Sequence, residues 1–488
     1  LSGKRRQPVL GSRCGDWAEA RRRWLLVIAV ALVGAPRALR AAEVTRVVSA
    51  FDDDNRFDFN LTLSFLREAK SAFIKRESLV TRTSAAGDSV MRTELVNDLL
   101  YRQTRNVLGL RADFGILWDV GFHVEAPIVI SDDRRLDFDQ THGGSCTAGM
   151  AAIPGCVNAQ NSTILRDGIL PGYGTTTYGL DANHNRAYQD PSQTVFGGPT
   201  RSGLEYLGLG ITWAAFNQLR DDTKPTWTLG FDGRLDVTQD MRFDRLNPGG
   251  NTGVGLGYHQ LLWSTVVSKR FKSFDPYIGF WYMLPIRTNG SPFQKYPLGG
   301  QTAVDPQQEA GVHFGVEQVA WEKPQTSQRV TVEVRGHAVQ HFYGRSHSEL
   351  WEALSGSPQC ATDATKCRSD PQAAAGAAAG IDYDGTTPSP YPGVTETQAY
   401  ASFGGDAGLN IQVGKYIRFR GLFGLTLDLP HFITYGNPGV GIGNNPVDLS
   451  DPKQKNPVYR ETIDNPGRRF RVEGTQIWSL LLEGSLMF

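Results

Sequence analysis

Residues 417–429, IRFRGLFGLTLDL, alternate in character: Ile417, Phe419, Gly421, Phe423, Leu425, Leu427 and Leu429 fall on one side, and Arg418, Arg420, Leu422, Gly424, Thr426 and Asp428 on the other. Successive side chains of a strand point to opposite faces, so such a stretch folds as a strand with one apolar and one polar face. The pattern recurs at 57–65, 104–116, 119–130, 204–216, 226–237, 257–270, 275–287, 309–321, 328–342, 397–412 and 470–488. With 417–429 that predicts twelve strands. Many exceed the roughly five or six residues usual in soluble sheets and reach the roughly nine to eleven that cross a bilayer at a tilt.

The connections alternate in length. Short ones lie near Trp118, at 217–224, at 272–275, at 322–327 and near Gly414; long ones cover 70–100, 131–203, 238–256, 288–308, 343–396 and 430–469. A soluble sandwich has no reason to put every long loop at one end. A transmembrane barrel does, because its strands run up and down between short periplasmic turns and longer extracellular loops. The expected fold is therefore all-β, a single antiparallel up-and-down transmembrane barrel of twelve strands over residues 56–488.

Composition agrees once the two faces are separated. A mean hydropathy of −0.32 is too polar for a bundle of spanning helices, each of which needs about 20 mostly apolar residues. A barrel wall pairs all its backbone groups internally and shows lipid only alternate side chains. The balance of 50 basic and 50 acidic residues speaks against a nucleic-acid partner.

The single long apolar run lies near the start. Residues 21–42, RRRWLLVIAVALVGAPRALRAA, follow the order basic, apolar, small-residue of a secretory signal peptide. Residues 1–41 are read as that signal with an upstream extension, and 42–55 as a periplasmic segment leading into the barrel. Nine basic and two acidic residues lie within 1–41, leaving 41 basic against 48 acidic beyond it. In an oxidising compartment the close pairs Cys146 with Cys156 and Cys360 with Cys367 suggest local disulfides.

The last strand, GTQIWSLLLEGSLMF, puts Trp478, Leu480, Leu482, Gly484, Leu486 and Phe488 on one face. The chain resembles the outer-membrane β-barrels of Gram-negative bacteria, which commonly end on a strand closing with phenylalanine. The resemblance implies an outer-membrane location, contact with lipid, and the barrel-assembly machinery as a folding partner that reads Trp478, Leu480, Leu482, Leu486 and Phe488. Two details depart from the motif: its glycine is expected one position before Gly484, and its penultimate aromatic is here Leu486.

Function should be written on the inner face. Parity puts Asp58, Arg105, Arg111, Asp113, His123, Glu125, Asp232, Arg234, Asp236, His313, Glu317, Glu333, Arg335, His337, His341, Asp406, Arg418, Arg420, Asp428 and Glu483 there, ten acids against six arginines. Twelve strands lie between a barrel filled by its own side chains and one with an open channel. Either these groups line a narrow aqueous pore or they pair into a network that fills it. The first reading predicts passive passage of small polar solutes or ions, with a weak cation preference from the acid excess. The second predicts a structural barrel whose long loops bind a partner. A further idea is that Arg418 and Arg420 bind an anionic substrate.

No catalytic residue and no enzyme activity is expected, since no GxSxG, HExxH, P-loop or CxxC pattern occurs. Glu333, His337 and His341 are the best candidate acid/base cluster, with a hydrogen-bonded lumen lining as the plainer alternative. No cofactor is expected beyond a structural calcium ion, for which Asp181, Asn183, Asn185 and Asp190 have alternate-oxygen spacing. Ser346 and Glu349 have capping-box spacing and predict a short helix over 347–354. The loop carrying it either folds inward as a constriction or stands out from the surface.

Overall fold

The computed structural model describes residues 42–48, 58–83, 87–117, 119–139, 157, 164, 169, 194–244, 247–293, 295, 300–356, 381–382, 388–389, 391–451 and 453–488. Twelve long strands make one sheet: β1 Phe59–Thr83, β2 Ser89–Leu117, β3 Val120–Phe138, β4 Leu207–Phe216, β5 Thr226–Leu235, β6 Tyr258–Ser268, β7 Phe274–Arg287, β8 Glu309–Lys323, β9 Gln328–His341, β10 Tyr400–Val413, β11 Ile417–Asp428 and β12 Phe470–Met487. Each pairs antiparallel with its neighbour in the chain. β1 also pairs with β12, from Asn60 opposite Met487 to Arg76 opposite Phe470, so the sheet closes on itself. The seam is tied at its base, where Phe59 N–H donates to Phe488 O at 3.2 Å and Phe488 N–H to Phe59 O at 2.8 Å. Closure matters because each unpaired backbone group facing hydrocarbon would cost several kcal/mol.

The outward face is apolar. Leu61, Leu63, Leu209, Ile211, Trp213, Phe231, Val332, Val334 and Phe423 are all exposed, as are Trp478, Leu480, Leu482, Leu486 and Phe488 of the last strand. Aromatic rings gather at the short-turn end: Phe59 lies 5.1 Å from Phe114 and 6.1 Å from Phe488, and Phe114 lies 6.3 Å from Phe122. An apolar band with aromatic girdles is the pattern of a wall that spans lipid. No helix among the described residues is long and apolar enough to cross a membrane.

One expected loop is a pair of strands. Residues 70–83 and 89–100 belong to β1 and β2, which remain paired as far as Thr83 opposite Ser89. At 25 and 29 residues these strands far exceed what a bilayer needs, and they stand out beyond the rest of the wall. Beyond the lipid both faces can be polar, so the apolar alternation that marks a spanning strand stops while the hydrogen-bonded ladder continues. The other long connections, 139–206, 236–257, 288–308, 342–399 and 429–469, emerge at this same end. The helix expected at 347–354 shrinks to Trp351–Leu354, and no side chain caps it.

The main cluster of buried apolar residues is not in the membrane wall. It lies at the loop end, where Ile74, Leu99, Tyr101, Leu136, Phe138, Phe470 and Val472 from the strand extensions pack around Leu350, Trp351, Ala353 and Leu354, with Phe196, Phe243, Tyr391, Ile433 and Ile463 from other loops. Cys146, Cys156, Cys360 and Cys367, the signal region 1–41, and Asp181, Asn183, Asn185 and Asp190 lie outside the described residues.

Candidate functional site: a charged lumen closed at both ends

The middle of the lumen is built from ion pairs that reach across an intervening strand. His123 on β3 meets Asp232 on β5 at 2.6 Å. They can do so because β4 places Gly210 between them, and a Cβ there would sit 2.2 Å from Asp232 and 2.3 Å from His123. Gly208 lies under Glu125 in the same way. Glu125 accepts from Tyr206 at 3.0 Å and lies 3.6 Å from both Arg111 and Arg234. Arg111 also holds Asp113 at 2.8 Å, and Arg105 holds Glu205 at 2.5 Å.

On the opposite wall Asp406 takes Arg335 at 2.9 Å and His337 at 3.3 Å, above the space that Gly424 leaves free. Nearer the loops His341 binds Glu309 at 3.0 Å and Ser402 at 3.1 Å, and Ser402 donates to Asp428 at 2.7 Å. Nearer the turns Glu333 receives Arg420 at 2.8 Å and the Tyr277 hydroxyl at 2.7 Å, while Arg420 also reaches Glu483 at 3.4 Å.

Two predicted lumen residues sit at the rims. Asp58 precedes β1, and its carbonyl accepts from Gly115 N–H at 2.8 Å; Asp236 follows β5 and accepts from Gly257 N–H at 2.5 Å. Glu333, His337 and His341 do not converge. Spaced four residues apart on one strand, successive members lie about 13 Å apart and Glu333 and His341 about 26 Å apart, each with its own partners.

The loop end is closed by the cap. Trp351, 1% exposed, lies under the guanidiniums of Arg201 at 4.8 Å and Arg134 at 5.7 Å. Its neighbour Glu352 pairs with Arg201 at 2.8 Å, with both side chains buried. Glu349 reaches down to Lys70 on β1 at 2.8 Å, and Lys70 lies 3.7 Å from Asp428 on β11. Residues 349–354 thus pack over β1, β3 and β11 at the mouth, which makes this loop an inward constriction. The capping-box pair is used elsewhere: Ser346 meets Thr397 at 2.7 Å.

Burial would raise the Glu349 carboxyl, but the Lys70 ammonium, His431 and hydrogen bonding together outweigh it and hold it below the usual range. Burial pushes Asp464, in the 429–469 loop, up to about 7, with Glu396 adding to the rise against the amides of Arg460 and Gly436. Glu396, also driven up by burial, accepts from Asn456 at 2.8 Å and from the Tyr343 hydroxyl.

The turn end is closed by something parity could not reveal. Residues 42–48, expected to precede the barrel on its periplasmic side, run inside it. Glu43 N–H donates to Glu317 of β8 at 2.8 Å, and the Glu43 carboxylate pairs with Arg418 of β11. Thr45 bonds Ser268 of β6 at 2.7 Å, Arg46 reaches the Met487 sulfur of β12 at 3.1 Å, and Val47 and Val48 cover Gly121 of β3. A seven-residue segment therefore crosses the lumen and touches walls on several sides. The one available hint was that Arg418 and Arg420 leave two guanidiniums near the turn end needing carboxylates. Among the described residues no group of three or more His, Cys, Asp or Glu is arranged to hold a metal ion.

A closed sheet, an apolar outer face, aromatic rims and a charged interior decide the class. The chain is an outer-membrane β-barrel. No family model matches it, and no curated protein matches it. Among solved structures it is similar to an outer membrane channel from Pseudomonas putida F1, at 9% identity over 88% of this chain and 95% of that one, with a TM-score of 0.35. It is also similar to a Pseudomonas aeruginosa FadL homologue, at 8% identity over 88% and 90% with a TM-score of 0.28. A third is the translocator domain of the autotransporter NalP from Neisseria meningitidis, at 6% identity over 96% of each chain with a TM-score of 0.30. These are distant likenesses, and the barrel class stands on the closed, apolar-faced wall itself.

Proposed function

We propose that the barrel is a gated outer-membrane channel for small polar solutes or ions. The observation that carries this reading is the polar lumen lying between two closures that belong to the chain's own segments, the cap and residues 42–48. Here the interior is lined by hydrogen-bonding and charged groups. Passage is passive and opens when the inner segment withdraws. The acid excess gives the open path a weak preference for cations.

The second reading, a sealed barrel whose loops bind a partner, draws support from the outstanding β1–β2 hairpin, where Leu79 and Met91 are 61% and 64% exposed. Conductance in planar bilayers separates the two. Channel behaviour requires discrete steps that grow in size or frequency when residues 42–48 are replaced by glycine and serine. Silence in both proteins leaves the partner-binding reading. A reversal potential in a salt gradient reports the cation preference.

A further inference from the structure

The segment in the lumen offers its surroundings two groups at once, a nitrogen donor and a carboxylate, both from Glu43. On the acidic side, β7, β8 and β9 bring Asp275, Glu317 and Glu333 into one row, with Glu317 directly opposite each of the others. Like charges placed opposite one another are unfavourable. Glu333 is satisfied by Arg420 and Tyr277. Asp275 and Glu317 are both fully buried. Neither carboxylate oxygen of Asp275, nor Glu317 Oε2, has a hydrogen-bond partner among the described residues, and Arg329 Nη2 stands 4.0 Å from that Glu317 oxygen. The Glu43 N–H fills the remaining Glu317 oxygen.

On the basic side Arg418 is held by Ser485 at 3.2 Å and by the Glu43 carboxylate. Among the described residues it has no other carboxylate. Arg46, 3.6 Å from Glu43, belongs to the same segment and leaves with it. Withdrawal of residues 42–48 therefore uncovers an acid row short of donors and an arginine short of an acceptor, spaced to fit one glutamate residue.

We propose that this end of the lumen is a binding site for a small solute carrying a donor nitrogen and a carboxylate separated by three carbons, the skeleton of a γ-amino acid. Glu43 occupies the site in the closed chain as a built-in competitor. An ammonium answers the acid row better than the neutral amide does, and the solute carboxylate takes the place of the Glu43 carboxylate on Arg418. A dianion such as phosphate fits poorly, since Glu317, Glu333 and Glu483 surround the site. Access, though not binding, rests on the reading of the lumen as a solute path.

The test is calorimetry on the detergent-solubilised full chain with 4-aminobutyrate, butyrate and butylamine as probes. Replacing residues 42–48 by glycine and serine is expected to strengthen 4-aminobutyrate binding at least about tenfold over the native chain. Butyrate and butylamine, each lacking one head group, should bind about tenfold more weakly than 4-aminobutyrate. Adding Arg418→Gln to the replaced chain should remove the gain, and heat-modifiable gel migration checks that each barrel has formed. Equal binding in native and replaced chains, no binding in either, or a gain that survives Arg418→Gln overturns the proposal. Conductance without 4-aminobutyrate binding sinks this site and spares the channel, whereas binding without conductance does the reverse.

Discussion

The two closures of the barrel are made by different physics. The cap is an apolar core assembled from four loops and four strand extensions around a four-residue helix, with one buried arginine–glutamate pair beside a buried tryptophan. The inner segment has seven described residues and is held mainly by polar contacts, to Glu317, Arg418, Ser268 and Met487. Apolar burial of many side chains is cooperative and has no substitute in water. Each polar contact of the segment can be exchanged for water or for a solute, so its net worth is about 0.5–3 kcal/mol. The turn end is therefore where a moving part belongs, and the loop end is the fixed one.

The comparison breaks first at Trp351. Trp351→Ala removes the centre of the cap and the ring that faces Arg134 and Arg201, and it should cost about 3–5 kcal/mol of cap stability. Limited proteolysis of the outer loops reads this directly, while the wall should keep its heat-modifiable migration. Unchanged protease resistance would mean that the cap is not the packed unit described. A control in the wall comes next. Val334 faces outward and is 60% exposed. Val334→Arg should destabilise the barrel by about 2–4 kcal/mol if it lies near the bilayer midplane, as seen in unfolding from lipid vesicles. A smaller effect would put Val334 nearer an interface.

The cap should also depend on pH. Asp464 holds its proton up to about 7 when folded, well above its ordinary value of 3.8. The folded state therefore binds more protons than the unfolded one between these values. Stability from this group is greatest below about pH 4 and is lost as pH rises through about 7. Loop proteolysis should accelerate from pH 5 to 8, and Asp464→Asn should flatten that slope. The smallest effect on stability is expected at the inner segment. Glu43→Gln should change barrel stability by about 0.5–3 kcal/mol, yet raise the open fraction in single-channel records. A large loss of stability with no change in opening would make residues 42–48 a structural strap, equivalent in kind to the cap.

Much of the wall was legible beforehand because a spanning strand must show lipid an apolar residue at every second position. All twelve strands announce themselves in this way, and the inward charges follow from the same parity. The tops of β1 and β2 were not legible, since Arg76, Glu77, Arg92 and Glu94 share that stretch with Leu79 and Met91 and no lipid sorts them into faces. Charge pairing was not legible either. Parity placed Glu333, His337 and His341 on one face, but a partner two strands away, such as Arg420 for Glu333 or Asp232 for His123, depends on a glycine or small residue in the strand between.

Alternation with alternating loop lengths therefore determined the class of the molecule, its strand number and which residues face inward, because these follow from local geometry and the two solvents the wall must meet. The tertiary structure alone decided whether the inside is open. Residues 42–48 and Trp351–Leu354 carry no periodicity that marks them as closures. They become closures through contacts with residues hundreds of positions away, and no local rule ties those partners together.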